Sequence, residues 1–169
     1  MGMEEMVRRV ESYRCRQVVV TGGEPLRAEE LGELLGRLKE SGKFITVETN
    51  ATRYRRITCD LISISPKLAN CGQKDKARRL NVEAIGEFIA EHDYQLKFVV
   101  EAESDLEEVE EILSGLGGVE RNKVMLMPQA RTQEEYRRRA PQVAQWCIEK
   151  GFRFSPRLQV ELWGRRRKK

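Results

Sequence analysis

Residues 17–25, Gln17-Val18-Val19-Val20-Thr21-Gly22-Gly23-Glu24-Pro25, decide the fold. Three valines in a row read as a short buried strand, and the two glycines, the acid and the proline after them read as its turn into a helix. The same event recurs along the chain. Upstream, residues 3–14 place Met6, Val7, Val10 and Tyr13 at helical spacing, and downstream residues 28–39 put Leu31, Leu34, Leu35 and Leu38 on one helical face. Residues 44–49 and 61–65 read as strands. Further on, residues 82–91 read as helix, 96–100 as strand, 106–116 as helix with Ser104 as its cap, and 123–127 as strand. A long helix over 133–150 and a last strand over 157–162 complete the pattern.

Strands that alternate with helices, and that look apolar along their length as in the VVV and KFVV runs, predict an α/β fold with parallel pairing and helices over the sheet. Such folds gather their chemistry at the strand C-termini. The residues that close and follow each predicted strand are therefore informative: Thr21 to Pro25, then Glu48-Thr49-Asn50-Ala51-Thr52, then Ser63-Ile64-Ser65-Pro66-Lys67, then Met127-Pro128-Gln129. Polar, small and proline residues collect at one rim. The polar segment 68–79, LANCGQKDKARR, is expected to be a long loop over it.

A chain of 169 residues suits one ordinary domain, expected over 1–164. The 31 basic and 27 acidic residues leave a net +4, but residues 165–169 are all basic, so the preceding residues carry 26 against 27. A nearly neutral body lacks the basic stripe of a nucleic-acid face, and the tail offers no more than a weak anion contact. No apolar run reaches the ~20 residues that span a bilayer, and the charged first ten residues do not read as a signal peptide. The expectation is a cytoplasmic protein with neither nucleic acid nor membrane as partner. Cys15, Cys59, Cys71 and Cys147 are scattered without a CxxC, and His92 is the one histidine, so the spacing supports no zinc site. Reduced, mostly buried thiols are expected. His92 is given no catalytic role.

TGGEP has a direct physical use: two glycines let a backbone approach a ligand, while Glu24 and freed carbonyls accept hydrogen bonds from an ammonium. It equally suits a tight turn with Pro25 opening a helix, and it is not a phosphate loop, since the spacing and lysine of that motif are missing. Glu48, Thr49 and Asn50 bring carboxylate, hydroxyl and amide to the next strand end, suited to a ribose or an amino acid, although Asn50 alone reads as a turn residue. Ser65 brings a hydroxyl and Lys67 a cation for a ligand carboxylate, although a lone lysine is ordinarily solvated.

TGGEP, ETNAT, SPK and the ending PRLQVELWG, in this order and spacing, resemble 7-carboxy-7-deazaguanine synthase, a radical S-adenosylmethionine enzyme of queuosine and archaeosine precursor synthesis. The resemblance spans nearly the whole chain. It implies an incomplete (β/α) barrel and ring contraction of 6-carboxy-5,6,7,8-tetrahydropterin to 7-carboxy-7-deazaguanine with loss of ammonia, begun by a 5′-deoxyadenosyl radical. By position, it implies that Gly22, Gly23 and Glu24 hold the cofactor's amino group. Glu48, Thr49 and Asn50 would lie near its methionine and ribose, and Ser65 and Lys67 would contact it. Thr21 and Gly23 would border the pterin-like substrate, and Gln129 with residues 156–163 would line the pocket. It also implies a [4Fe-4S] cluster, assistance by magnesium, and a homodimer.

The family's three cluster cysteines and its magnesium threonine sit in a loop after a first strand, and no residue here matches them. By the resemblance the chain starts at the helix after that loop, so the barrel is expected to lack its first strand. The chain as written is expected to leave S-adenosylmethionine uncleaved and to bind it weakly. A cluster-free S-adenosylmethionine- or pterin-binding module, or a partner to a separate cluster-bearing chain, is the alternative. The valine strand is expected to need cover at its open edge, from the N-terminal helix, a partner copy or exchanged segments. Glu161 and Trp163 suit either closing the pocket or completing the last strand, and the strand, with Trp163 buried, is the expectation.

Overall fold

A computed structural model describes residues 2–164. The basic tail expected at 165–169 lies outside the described residues. The described residues form seven helices and six strands in the order α1 (Met3–Glu11), β1 (Gln17–Val20), α2 (Leu31–Glu40), β2 (Phe44–Thr49), β3 (Leu61–Ile64), α3 (Lys76–Arg79), α4 (Val82–Glu91), β4 (Tyr94–Val100), α5 (Ser104–Leu116), β5 (Val124–Pro128), α6 (Gln133–Lys150), β6 (Arg153–Phe154) and α7 (Leu158–Trp163). The strands form one sheet in chain order, and every pair is parallel. This is a partial (β/α) barrel, with all six strand C-termini along one rim.

The two faces of the sheet differ, and here the structure corrects the expectation of strands apolar throughout. Ile45 and Val47 of β2, Ile62 and Ile64 of β3, and Leu96, Phe98 and Val100 of β4 are fully buried with Leu35, Leu38 and Phe88 of the helices. Thr46, Glu48, Gln95, Lys97, Val99, Met125 and Met127 alternate with them and are only half-buried. One face therefore carries the core, and the other is an open, largely polar trough.

Helix termini follow local chemistry. Asn81 caps α4 by accepting from Ala84 N at 3.0 Å, and Thr132 caps α6 by accepting from Glu135 N at 3.2 Å. Gly151 closes α6 at φ +69°, a left-handed turn that glycine takes without a steric penalty. Ser104 is not the cap of α5. Asp105 instead turns its carboxylate back onto Glu101 N and Ala102 N, at 2.7 and 3.1 Å, satisfying amides that the helix cannot.

The end of the chain also departs from the sequence reading. The sixth strand is Arg153–Phe154, and residues 158–163 form α7. Leu158, Val160 and Leu162 alternate as a strand would, yet only Val160 is buried, and Trp163 is 53% exposed. Between residues 68 and 79 the expected loop holds a 3-10 turn, Ala69–Cys71, and α3, whose Arg79 is buried.

Among the described residues β1 stands at the sheet edge and pairs with β2 alone. α1 packs beside α2, and Met6 and Val10 line an apolar groove of about 540 Å³ with Val18, Val20 and Leu34. Val19, facing the trough, stays 58% exposed. The N-terminal helix thus shields the helix side of this edge and not its trough side.

Candidate rim site

Three loops meet where β1, β2 and β3 end. Gly22 and Gly23 follow β1 with φ +109° and +57°, values that an L side chain rarely adopts, and a Cβ on either would meet nothing within 4 Å. The turn requires glycine, and the space above it is open.

Glu24 ties this loop to the next. Its Oε1 accepts from the Thr49 hydroxyl at 2.6 Å and from Leu26 N at 3.3 Å, and its Oε2 accepts from Asn50 N at 2.9 Å. A carboxylate has about four acceptor positions, so three protein donors leave about one for a ligand. The sequence reading saw an ammonium acceptor here and missed that Glu24 also joins β1 to β2.

Thr49 is 3% exposed, and its hydroxyl also accepts from Ala51 N at 3.0 Å, so its polar capacity goes into the turn. Asn50 takes the Asx turn that its residue type favours: Oδ1 accepts from Thr52 N and Thr52 Oγ1 at 3.0 and 2.9 Å. Ala51 completes the turn at φ +51°, unusual for a non-glycine residue, and is fully buried. Ser65 is buried and donates its N–H to Thr49 O at 2.7 Å, which joins the third loop to the second.

Below the rim the trough carries a charged network. Lys97 of β4 pairs with Glu48 Oε1 across the intervening strand β3, and Thr21 Oγ1 donates to Glu48 Oε2 at 3.2 Å. Burial pushes the Glu48 carboxyl up. Lys97, Thr21 and the more distant Lys67 outweigh it together and hold the carboxyl below its ordinary value. Beside them Gln95 donates to the Ser63 hydroxyl at 2.9 Å. Sequence reasoning passed over Lys97 and Gln95. The alternation in Tyr94-Gln95-Leu96-Lys97-Phe98 was the available signal, since every second residue is polar or charged.

Thr21, Gly22, Gly23, Glu24, Glu48, Thr49, Asn50, Ser65 and Lys67 thus lie on three adjoining strand ends. Gln129 follows β5, two strands beyond β3 along the same rim, and its Oε1 is 3.5 Å from Arg157 Nη1.

The thiols are elsewhere and are less buried than expected. Cys15 and Cys71 are exposed and Cys147 is buried. Cys59 sits 3.8 Å from His92 Nδ1, and burial, then the neighbouring Asp60, pushes its thiol up to about 11. Among the described residues no three His, Cys, Asp or Glu side chains converge to hold a metal ion. The four thiols of this chain do not fit a cluster that needs thiolates gathered in one place.

Solved structures share the architecture. QueE from Escherichia coli superposes with a TM-score of 0.70 at 24% identity, over 93% of this chain and 64% of that one. SuiB from Streptococcus suis bound to S-adenosylmethionine superposes at 0.63 and 13% identity, over 96% of this chain and 44% of that one. The chain shares the partial (β/α) barrel fold of these proteins. No protein-family model matches the chain. Sequence relatives are more specific: the 7-carboxy-7-deazaguanine synthase of Halobacterium salinarum is 37% identical over 96% of this chain and 71% of its own length. That of Pyrobaculum aerophilum is 34% identical over 100% and 75%. The chain belongs to the 7-carboxy-7-deazaguanine synthase family.

Proposed function

We propose that these residues form the cofactor and substrate rim of an enzyme that contracts 6-carboxy-5,6,7,8-tetrahydropterin to 7-carboxy-7-deazaguanine, releasing ammonia, in queuosine and archaeosine precursor synthesis. One observation carries the reading: the open, left-handed Gly22-Gly23 turn is bound through Glu24 to the Thr49-Asn50 turn, and that turn through Thr49 O to Ser65. S-Adenosylmethionine, when bound, supplies the adenosyl group for radical chemistry.

The chain's own residues do the holding. Carbonyls of the glycine turn and the remaining acceptor position of Glu24 take the cofactor's ammonium. Lys67 takes its carboxylate, since the Lys67 ammonium makes no hydrogen bond or ion pair among the described residues. Asn50 and Ser65 lie toward the ribose, and Gln129 lines the far side of the pocket. Thr21 and Gly23 border the pterin, and Glu48, kept ionised by Lys97, lies with Thr49 toward the cofactor's methionine and ribose.

We assign no residue to magnesium and no step to an iron-sulfur cluster. The dispersed thiols favour a second reading, in which these 169 residues form a cytoplasmic module that binds S-adenosylmethionine or a pterin without turnover. Cleavage would then need thiolates from a further segment or a cluster-bearing chain. Anaerobic reconstitution with iron and sulfide tests this: no 5′-deoxyadenosine is expected from the chain alone, and its release would overturn the second reading. The open β1 edge supports a homodimer.

A further inference from the structure

The segment that carries Lys67 is fixed from outside the rim. Arg79 of α3 donates from Nη1 to Lys67 O at 2.7 Å and to Glu108 Oε1 of α5 at 2.6 Å. The other oxygen of the same carboxylate, Glu108 Oε2, accepts from Ala69 N at 2.8 Å. One turn earlier on α5, Asp105 Oδ2 accepts from Asn70 Nδ2 at 2.9 Å, and that amide also donates to Val99 O at 2.9 Å. At the opposite end, Ser65 N is held by Thr49 O. Between these anchors the Lys67 ammonium makes no hydrogen bond or ion pair among the described residues and acts on Glu48 only through its charge.

The Arg79 and Glu108 side chains are 8% and 15% exposed, and Arg79 Nε is buried without a partner. Two charges taken this far out of water add little net stability, and an apolar pair of similar volume commonly serves as well. What an apolar pair cannot supply is a donor for Lys67 O and an acceptor for Ala69 N. Besides bonding each other, Arg79 Nη1 and Glu108 Oε2 bond the main chain of one short segment, the one that ends the SPK motif.

We propose that Arg79, paired with Glu108, is a positioning residue that holds the Lys67 main chain so that its ammonium faces the rim site. The inference rests on the reading of Lys67 as the partner of the cofactor's carboxylate. Arg79 itself lies behind the loop and touches no ligand. It acts through the Lys67 carbonyl.

The test compares two probes by calorimetry on the full chain: S-adenosylhomocysteine, which carries the amino-acid carboxylate, and 5′-methylthioadenosine, which lacks it. Wild-type protein is expected to prefer the first, and K67M to lose that preference by about tenfold, the scale of one charged hydrogen bond. R79M/E108M removes both charges together and strands neither. It is expected to lose the preference to a similar degree while holding 5′-methylthioadenosine as wild type does, with R79K restoring part of the loss. A merely structural role for the pair would weaken both probes equally, and that result overturns the clamp. So does a double variant that keeps the wild-type preference when K67M has lost it. If wild-type protein binds neither probe, or K67M binds both unchanged, the rim reading itself fails and the clamp falls with it.

Discussion

Glu24 accepts hydrogen bonds from Thr49, Asn50 and Leu26, so its replacement by alanine orphans a buried hydroxyl and two loop amides. Glu24→Ala is expected to cost about 2 kcal/mol in urea unfolding, the scale of hydrogen bonds to a charged group. Glu48 gives a prediction with a sign. Its carboxyl lies below the ordinary 4.5 in the folded protein. The stability it contributes is therefore complete above that value and is lost as pH falls through the depressed folded value. Lys97→Met removes the main lowering influence and leaves the burial, so the Glu48 carboxyl is expected to titrate at higher pH than in the wild type by carbon-13 NMR. At this scale the sequence revealed which residues share the rim, because they follow successive strands. It did not reveal that the hydroxyl of Thr49 and the Oδ1 of Asn50 are consumed within their own turn, since a polar side chain after a strand looks the same whether it serves ligand or loop.

Among the elements, those with a clear period were legible in the sequence. The leucines of α2 and the apolar face of α4 give helices near the expected places, and β1, β2 and β3 follow their apolar runs. α7 was not legible, because Leu158, Val160 and Leu162 alternate, and alternation separates strand from helix only when the intervening face is known. Pro156 and the two-residue strand before it leave room for one helical turn and a half, packed on α6 through Arg137 and Glu161. The start of α5 was misread for a related reason, since Ser104 and Asp105 are both capping types and the carboxylate reaches the free amides. Asn81 links an element to the site: it caps α4 and its Nδ2 donates to Thr52 O at 3.3 Å. Asn81→Ala is expected to cost about 1 kcal/mol in thermal or chemical unfolding, the usual worth of an N-cap.

For the whole molecule, parallel pairing was legible in the helix-strand alternation and the barrel order was implied by the family resemblance, whereas the polar trough required the register. Thr21, Glu48 and Ser63 reach one face only because β1, β2 and β3 are paired without a slip. The same register turns Val19 toward the trough at an edge with no strand beyond it among the described residues. An apolar edge of this kind favours association, so the protein is expected to sediment as a dimer, and Val19→Lys to shift it toward monomer. A wild-type monomer at all concentrations would count against that assembly. The central claim is that three strand-end loops together grip S-adenosylmethionine, and the most direct measurement is a nitrogen-15 NMR titration of the intact chain with that molecule. The account predicts that the amides of Gly23, Asn50 and Ser65 move together with one saturation curve. Saturable shifts confined to other surfaces, or none at those three amides, would contradict it.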